Sequence, residues 1–174
     1  MHLDLTRYRQ PVSSFDRTFQ PGDVSDEADM YRVVAPVHLA FEIHKDKDKF
    51  RLVGTLTTEL ELSCSRCLDP FRLPVSAPFD LRYLPAAAAS TASEQEVEDE
   101  DLETSYYTED SIDLREMLRE QFYLVLPMKP LCQEGCRGLC PQCGTNLNTG
   151  TCTCDATWQD PRLAALKDLK TRES

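Results

Sequence analysis

The chain has 174 residues, 41% of them hydrophobic and 28% charged, which suits one ordinary globular core with a small appendage. Thirty acids against nineteen bases leave a formal charge of −11, the wrong sign for a surface that attracts phosphate throughout, so nucleic-acid binding by bulk charge is disfavoured. No run approaches the roughly 18 apolar residues of a membrane helix, and the first thirty residues carry Arg, Asp and Pro in place of an apolar leader, so a soluble, cytoplasmic protein is expected.

The first 84 residues alternate with a period of two. Leu3 to Tyr8 can form a first strand. Val37, Leu39, Phe41 and Ile43 alternate with His38, Ala40, Glu42 and His44; after the charged turn Lys45–Lys49, the residues Phe50, Leu52, Leu56, Leu60 and Leu62 share one face, which predicts a β-hairpin. A third segment sets Phe71, Leu73, Val75, Ala77, Phe79, Leu81 and Tyr83 against a polar face holding Pro74 and Pro78, prolines that suit an edge. Residues 1–84 therefore predict an antiparallel N-terminal β domain, a sheet or open barrel with one wet face. Between Tyr83 and Leu114 there are ten acids and no Lys or Arg; removing them leaves twenty acids against nineteen bases, so the acidity is local. Residues 85–110 are expected to be an acidic mobile loop, most clearly over 86–105, because they lack the apolar content that offsets chain entropy.

Helical spacing follows. Leu114, Met117, Leu118, Phe122 and Val125 predict a covering helix over 111–127, capped by Asp110 or Ser111 and stopped by Pro127. Residues 128–174 form a Cys-rich segment, expected to bind zinc and to close with a short helix where Leu163, Leu166 and Leu169 follow Pro161. The expected class is α+β.

Eight cysteines are the main anomaly, since a reducing compartment disfavours disulfides and leaves metal binding or redox chemistry. They group as Cys64-x2-Cys67, Cys132-x3-Cys136, Cys140-x2-Cys143 and Cys152-x-Cys154. Two cysteines one to four residues apart can point at one ion from a tight turn, so four pairs supply two tetrahedral sites. Cys140-Pro-Gln-Cys-Gly reads as a zinc knuckle that Cys152 and Cys154 close locally. Cys64 and Cys67 are then left with Cys132 and Cys136, a site that would pin the sheet to the tail. One zinc with four spare thiols is the competing count, and thiolates accept iron as well as zinc. A thioredoxin-like role for Cys64-Ser-Arg-Cys67 lacks its βαβ context. All-cysteine sites are closed and structural, unlike hydrolytic centres with an open position.

Other chemistry is sparse. No phosphate-cradling glycine loop, nucleophile elbow or His-Glu-x-x-His is present. His2, His38 and His44 read as solvated decoration, and Asp113, Glu116 and Glu120 as ordinary charge on a helix face.

The order of these features is specific. Cys64-Ser-Arg-Cys-Leu, a strand, an acidic stretch, a helix ending Leu126-Pro127, and then Cys136-Arg-Gly-Leu-Cys-Pro-Gln-Cys-Gly-Thr-Asn-Leu-Asn148 with Cys152 and Cys154 resembles the YceD family of large ribosomal RNA subunit accumulation proteins. The resemblance spans most of the chain. It implies a non-enzymatic factor that supports accumulation or processing of large-subunit ribosomal RNA, with Cys64, Cys67, Cys132, Cys136, Cys140, Cys143, Cys152 and Cys154 as the residues carried over. The implied partners are that RNA or a pre-ribosomal particle, reached through basic side chains such as Arg66, Arg72, Arg82, Lys129 and Arg137, or a basic large-subunit ribosomal protein that the acidic loop engages. A thiol redox or RNA-processing enzyme using the Cys pairs is the alternative.

Overall fold

The computed structural model describes residues 1–24, 30–89 and 104–154. Two compact units result. The first joins Met1–Leu62 to Phe71–Met128, and the second joins Ser63–Pro70 to Lys129–Ser174. The elements in chain order are strand β1 (His2–Asp4), a 3-10 turn (Leu5–Arg7), β2 (Val12–Phe19), helix α1 (Pro21–Val24), β3 (Arg32–Val33), β4 (Val37–Asp46), β5 (Lys49–Ser63), β6 (Pro70–Pro85), α2 (Ala86–Ala89), β7 (Thr104–Tyr107), β8 (Ser111–Asp113) and α3 (Leu114–Val125).

The first unit is built on a six-stranded sheet of order β2-β4-β5-β6-β7, with β3 pairing β5 off this path; β1 and β8 form a separate two-stranded sheet. The antiparallel hairpin of β4 and β5 turns at Lys47–Asp48, with Asp46 opposite Lys49. Its alternating apolar set becomes the core: Val37, Leu39, Phe41 and Ile43 on β4 and Phe50, Leu52, Leu56, Leu60 and Leu62 on β5 are all buried. Leu114, Met117, Leu118 and Phe122 of α3 belong to the same hydrophobic cluster, so the helix covers this face. The fold is α+β, an open sheet with one covering helix and a Cys-rich C-terminal group.

One close approach sets the middle of the sheet. Phe41 lies opposite Phe15 on one side and Gly54 on the other. Its ring stacks on Phe15 at 4.6 Å between centroids and meets Phe79 edge-on at 5.9 Å. A Cβ on Gly54 would overlap the Ala40 carbonyl oxygen and the Phe41 Cβ, so only glycine fits.

Several expectations change in detail. Leu3 to Tyr8 is strand only through Asp4, after which the Asp4 side chain accepts from the Thr6 amide and starts the 3-10 turn. Strand β2 had no clear period, because only Phe15 is buried along it. Within residues 1–84 the pairings of β2 with β4, β3 with β5 and β4 with β5 are antiparallel as expected, and the parallel pairing comes from beyond them, where β7 joins β6. That strand occupies Thr104–Tyr107, inside the segment expected to be loop, where the Tyr107 hydroxyl donates to the Asp48 carbonyl at 2.9 Å and its ring meets Phe50. β7 pairs only with Arg82–Pro85, so the part of β6 holding Pro74 and Pro78 gains no ladder partner from it.

The covering helix begins at Leu114, not at 111, because Ser111 and Ile112 are drawn into the pairing with β1. Asp113 is its cap, accepting from the Arg115 amide at 2.8 Å, in place of Asp110 or Ser111. The acidic run at 94–103 and the C-terminal helix around 161–169 lie outside the described residues. Among the described residues no helix is long and apolar enough to cross a membrane.

Candidate metal centres

All eight cysteines belong to the second unit, those of the Cys64–Asp69 connection included. Two knuckles in it share one backbone pattern. In Cys64-Ser-Arg-Cys-Leu the amide of Leu68 donates back to the Cys64 carbonyl at 2.9 Å, and in Cys140-Pro-Gln-Cys-Gly the amide of Gly144 does the same to Cys140 at 2.9 Å. Both closing residues are left-handed, Leu68 with φ +62° and Gly144 with φ +72°. That turn points the two thiols of each pair to the same side. Glycine reaches it freely; leucine reaches it at a steric cost.

The sulfurs assemble in two sets of four: Cys64, Cys67, Cys132 and Cys136, and separately Cys140, Cys143, Cys152 and Cys154. Within each set they all lie within 4.8 Å of one another. Sγ to Sγ is 3.7 Å for Cys64 and Cys136 and 3.7 Å for Cys67 and Cys132. A tetrahedron of sulfurs around one ion, with bonds of about 2.3 Å, has edges of about 3.8 Å, so the first set fits a single thiophilic ion. The same separation is far too long for a disulfide, and all eight cysteines are free. The grouping is local for the second set and joins the Cys64–Asp69 connection to the tail for the first.

The electrostatics of each set call for a cation. Burial pushes the Cys64 thiol up, but the amides of Cys67, Cys132 and Arg66 directed at it win and bring it to about 6. Cys67 feels a lowering amide from Asp69, outweighed by burial and by the sulfurs of Cys64, Cys132 and Cys136, and is pushed to about 12. In the second set the Thr145 hydroxyl and amide bring Cys143 to about 6. Cys154, facing Cys143, rises to about 12. Crowded sulfurs cannot all ionise without a positive charge among them.

A hydrogen-bond frame holds these turns. The Arg66 guanidinium donates to the Cys136 carbonyl at 2.8 Å, and the Leu139 amide donates to the Arg66 carbonyl at 3.1 Å. Gly138, with φ +74°, sits where a Cβ would come 3.1 Å from that same Arg66 oxygen. Two residues without an assigned role complete the frame. Asn146 donates its side-chain amide to Asp69 at 2.5 Å, and Asn148 donates to the Cys136 sulfur at 3.3 Å while accepting from the Arg137 amide at 2.8 Å. The Asn-Leu-Asn run after the knuckle was the available signal, two amides spaced to face the same way.

The other residues singled out from sequence fall elsewhere. Arg72 pairs with Glu59 at 3.2 Å, and Arg66 is engaged as described; Lys129 and Arg137 are exposed. Arg82 lies on β6, in the first unit. His38 and His44 sit at the surface beside Asp16 and Glu42, 3.2 and 3.4 Å away.

Comparison with known proteins agrees with the order of these features. The profile of the family described as large ribosomal RNA subunit accumulation protein YceD matches residues 52–170. An uncharacterized protein of Mycobacterium tuberculosis is 28% identical over 152 residues, covering 84% of this chain and 70% of the relative. The chloroplastic large ribosomal RNA subunit accumulation protein YCED homolog 1 of Arabidopsis thaliana is 27% identical over 190 residues, 97% of this chain and 59% of that protein. Its Zea mays counterpart is 25% identical over 142 residues, 68% of this chain and 48% of the relative. No solved structure matches the chain.

Proposed function

The chain belongs to the YceD family of large ribosomal RNA subunit accumulation proteins, and from that membership we propose that it supports accumulation or processing of the large-subunit ribosomal RNA as a non-enzymatic binding module of the cytoplasm. The observation that carries the reading is the pair of four-sulfur clusters, each with one knuckle of its own. Zinc is the ion proposed for both, held by Cys64, Cys67, Cys132 and Cys136 and by Cys140, Cys143, Cys152 and Cys154. Bound there, zinc would supply cross-links between chain segments, since four thiolates leave no open position for a water or substrate. The residues around the sites do the rest: amides orient the thiols, and Arg66, Asn146 and Asn148 tie the knuckles together.

Between the two partner types, a basic ribosomal protein is favoured over bare RNA. Arg66 and Arg72, named for phosphate contact, are already engaged by a carbonyl and a carboxylate. A net charge of −11 opposes a polyanion and attracts a polycation. The factor would then present a basic protein to the assembling subunit, or hold it until RNA displaces it.

A crosslinked pull-down from native cells tests this, with RNA and protein identified together. Recovery of large-subunit ribosomal RNA with a basic large-subunit protein is expected. Recovery of neither overturns the reading; recovery of RNA alone, with direct RNA binding that weakens steeply with salt, overturns the protein-first version of it.

A further inference from the structure

The turn end of the sheet in the first unit is opposite in sign to the chain as a whole. A groove of about 480 Å³ opens there, walled by β4, β5, β6 and β7. Lys45, Lys49, Arg51 and Arg82 line it, and Asp46 is the one acid among the described residues that do. Counting Asp80 as well, which binds Arg51, four bases meet two acids in a chain whose formal charge is −11. A concave wall of one sign focuses its field and concentrates ligands of the opposite sign.

The ladders fix where these side chains stand. Arg51 lies between buried Phe50 and Leu52, and Arg82 precedes buried Tyr83, so both arginines are on the wet face of the sheet. Lys49 shares that face with Arg51 by the period of two, and it is exposed with no ion-pair partner among the described residues, although Asp46 lies opposite it. Asp80 grips the Arg51 guanidinium through two bonds, the one from Nε being 2.7 Å, and so holds it in place on that face. The Asp80 carboxyl is held below the usual range, first by the Arg51 hydrogen bond and further by the charges of Arg51, Arg82 and His44. Lys45 turns to the other side, its ammonium 5.2 Å from the centre of the Phe50 ring and 3.3 Å from the Tyr8 carbonyl oxygen. Lys49, Arg51 and Arg82 therefore form an extended row over two strands.

We propose that this groove receives the phosphodiester backbone of a single RNA strand, with Lys49, Arg51 and Arg82 each meeting a phosphate. A row of separate cations suits successive phosphates better than one small anion, and guanidinium groups match phosphate oxygens in geometry as well as in charge. The affinity is local and modest, because the rest of the chain repels a polyanion. The choice of RNA over an acidic polypeptide rests on the reading of the protein as a factor for large-subunit ribosomal RNA. To that reading it adds a place on the first unit where RNA is met, beside whatever contact the basic protein makes.

The test uses the full chain loaded with zinc and a short fluorescent single-stranded RNA, followed by anisotropy across a salt series. Three phosphate contacts predict a slope of log affinity against log salt of about −2, and K49Q/R82Q should weaken binding about tenfold at low salt and bring the slope to about −0.7. The variant K129Q/R137Q, which changes two exposed bases of the second unit, should alter neither. Circular dichroism checks folding. K49E alone, at the exposed turn, should also weaken binding several-fold, so the result does not depend on how the sheet tolerates R82Q. Unaltered affinity and slope in K49Q/R82Q, or a loss in K129Q/R137Q in its place, overturns the groove assignment. A glutamate peptide of equal charge that competes as well as RNA overturns RNA as the occupant. Ultraviolet crosslinking in native cells separates the two levels. An RNA crosslink to the chain that survives K49Q/R82Q sinks the groove and leaves the function standing, whereas wild-type recovery of no ribosomal material sinks the function while Lys49-dependent RNA binding in vitro still upholds the groove.

Discussion

Asn148 donates its side-chain amide to the sulfur of Cys136 across 3.3 Å, from a stretch of chain framed by two cysteines of the other cluster, Cys143 and Cys152. The same side chain accepts from the Arg137 amide, so it is held at both ends. The two sulfur clusters are thereby linked through one residue that belongs to neither.

Asn148→Ala should loosen the first cluster without touching a cysteine. Hydrogen bonds to ligands typically contribute 10–100-fold in metal affinity. Chelator competition should therefore strip the Cys64–Cys67–Cys132–Cys136 site at about tenfold lower chelator, with metal stoichiometry falling from two to one before the second site empties. Cys140→Ser with Cys143→Ser should weaken the first site as well, because Asn148 loses its frame. Unchanged retention in both variants would refute the linkage.

Thiol chemistry in the stripped protein should be uneven. Cys143 is exposed and lowered from 9.0 to about 6, first by the Thr145 hydroxyl, so at neutral pH it is largely thiolate and should be alkylated first. Cys154, pushed up to about 12, should lag, as should buried Cys67. A lowered thiol contributes stability to the metal-free fold that is complete above its ordinary value and is lost as pH falls through about 6, so the stripped protein should lose stability in urea on acidification through that range. In the loaded protein all eight should react slowly in peptide-mapped alkylation. Rapid reaction at Cys64 or Cys143 with metal in place would favour the redox alternative.

Two left-handed positions of the second unit should respond oppositely to glycine exchange. Gly138→Ala forces a Cβ toward Arg66 at a left-handed position and should destabilise the second unit by about 1–2 kcal/mol. Leu68→Gly relieves a left-handed leucine of roughly 1 kcal/mol but loosens the unfolded chain, so a neutral or slightly positive change is expected. The chelator midpoint for unfolding the second unit measures both.

The sheet should be most sensitive where Phe41 faces Gly54. Gly54→Ala is expected to cost about 3 kcal/mol or more, because the new methyl meets backbone and has no flexible neighbour to displace. Phe122→Ala, emptying a fully buried site on α3, should cost about 3–5 kcal/mol, and Asp113→Ala about 1 kcal/mol through its cap. Urea denaturation of the loaded protein ranks them; a mild Gly54→Ala would contradict the packing at Phe41.

Sequence alone determined the parts whose signal is local. The β4–β5 hairpin follows from strict alternation over Val37–Ile43 and Phe50–Leu62, and α3 from helical spacing. The four cysteine pairs were legible because a pair must be close in sequence to share a turn, and their sorting into two sets followed by elimination. What only tertiary structure decided depends on contacts between distant residues. Strand β2 buries little but Phe15 and exists because β4 offers it a ladder; β7 runs parallel to β6, and its Tyr107 hydroxyl reaches Asp48, 59 residues away; and Ser111–Asp113 leaves the helix for a strand because β1 is there to pair it. Asn148 lies in this second class. An amide has no meaning along the chain until folding supplies the sulfur it faces, since a hydrogen bond is a property of position in space, not of spacing in sequence.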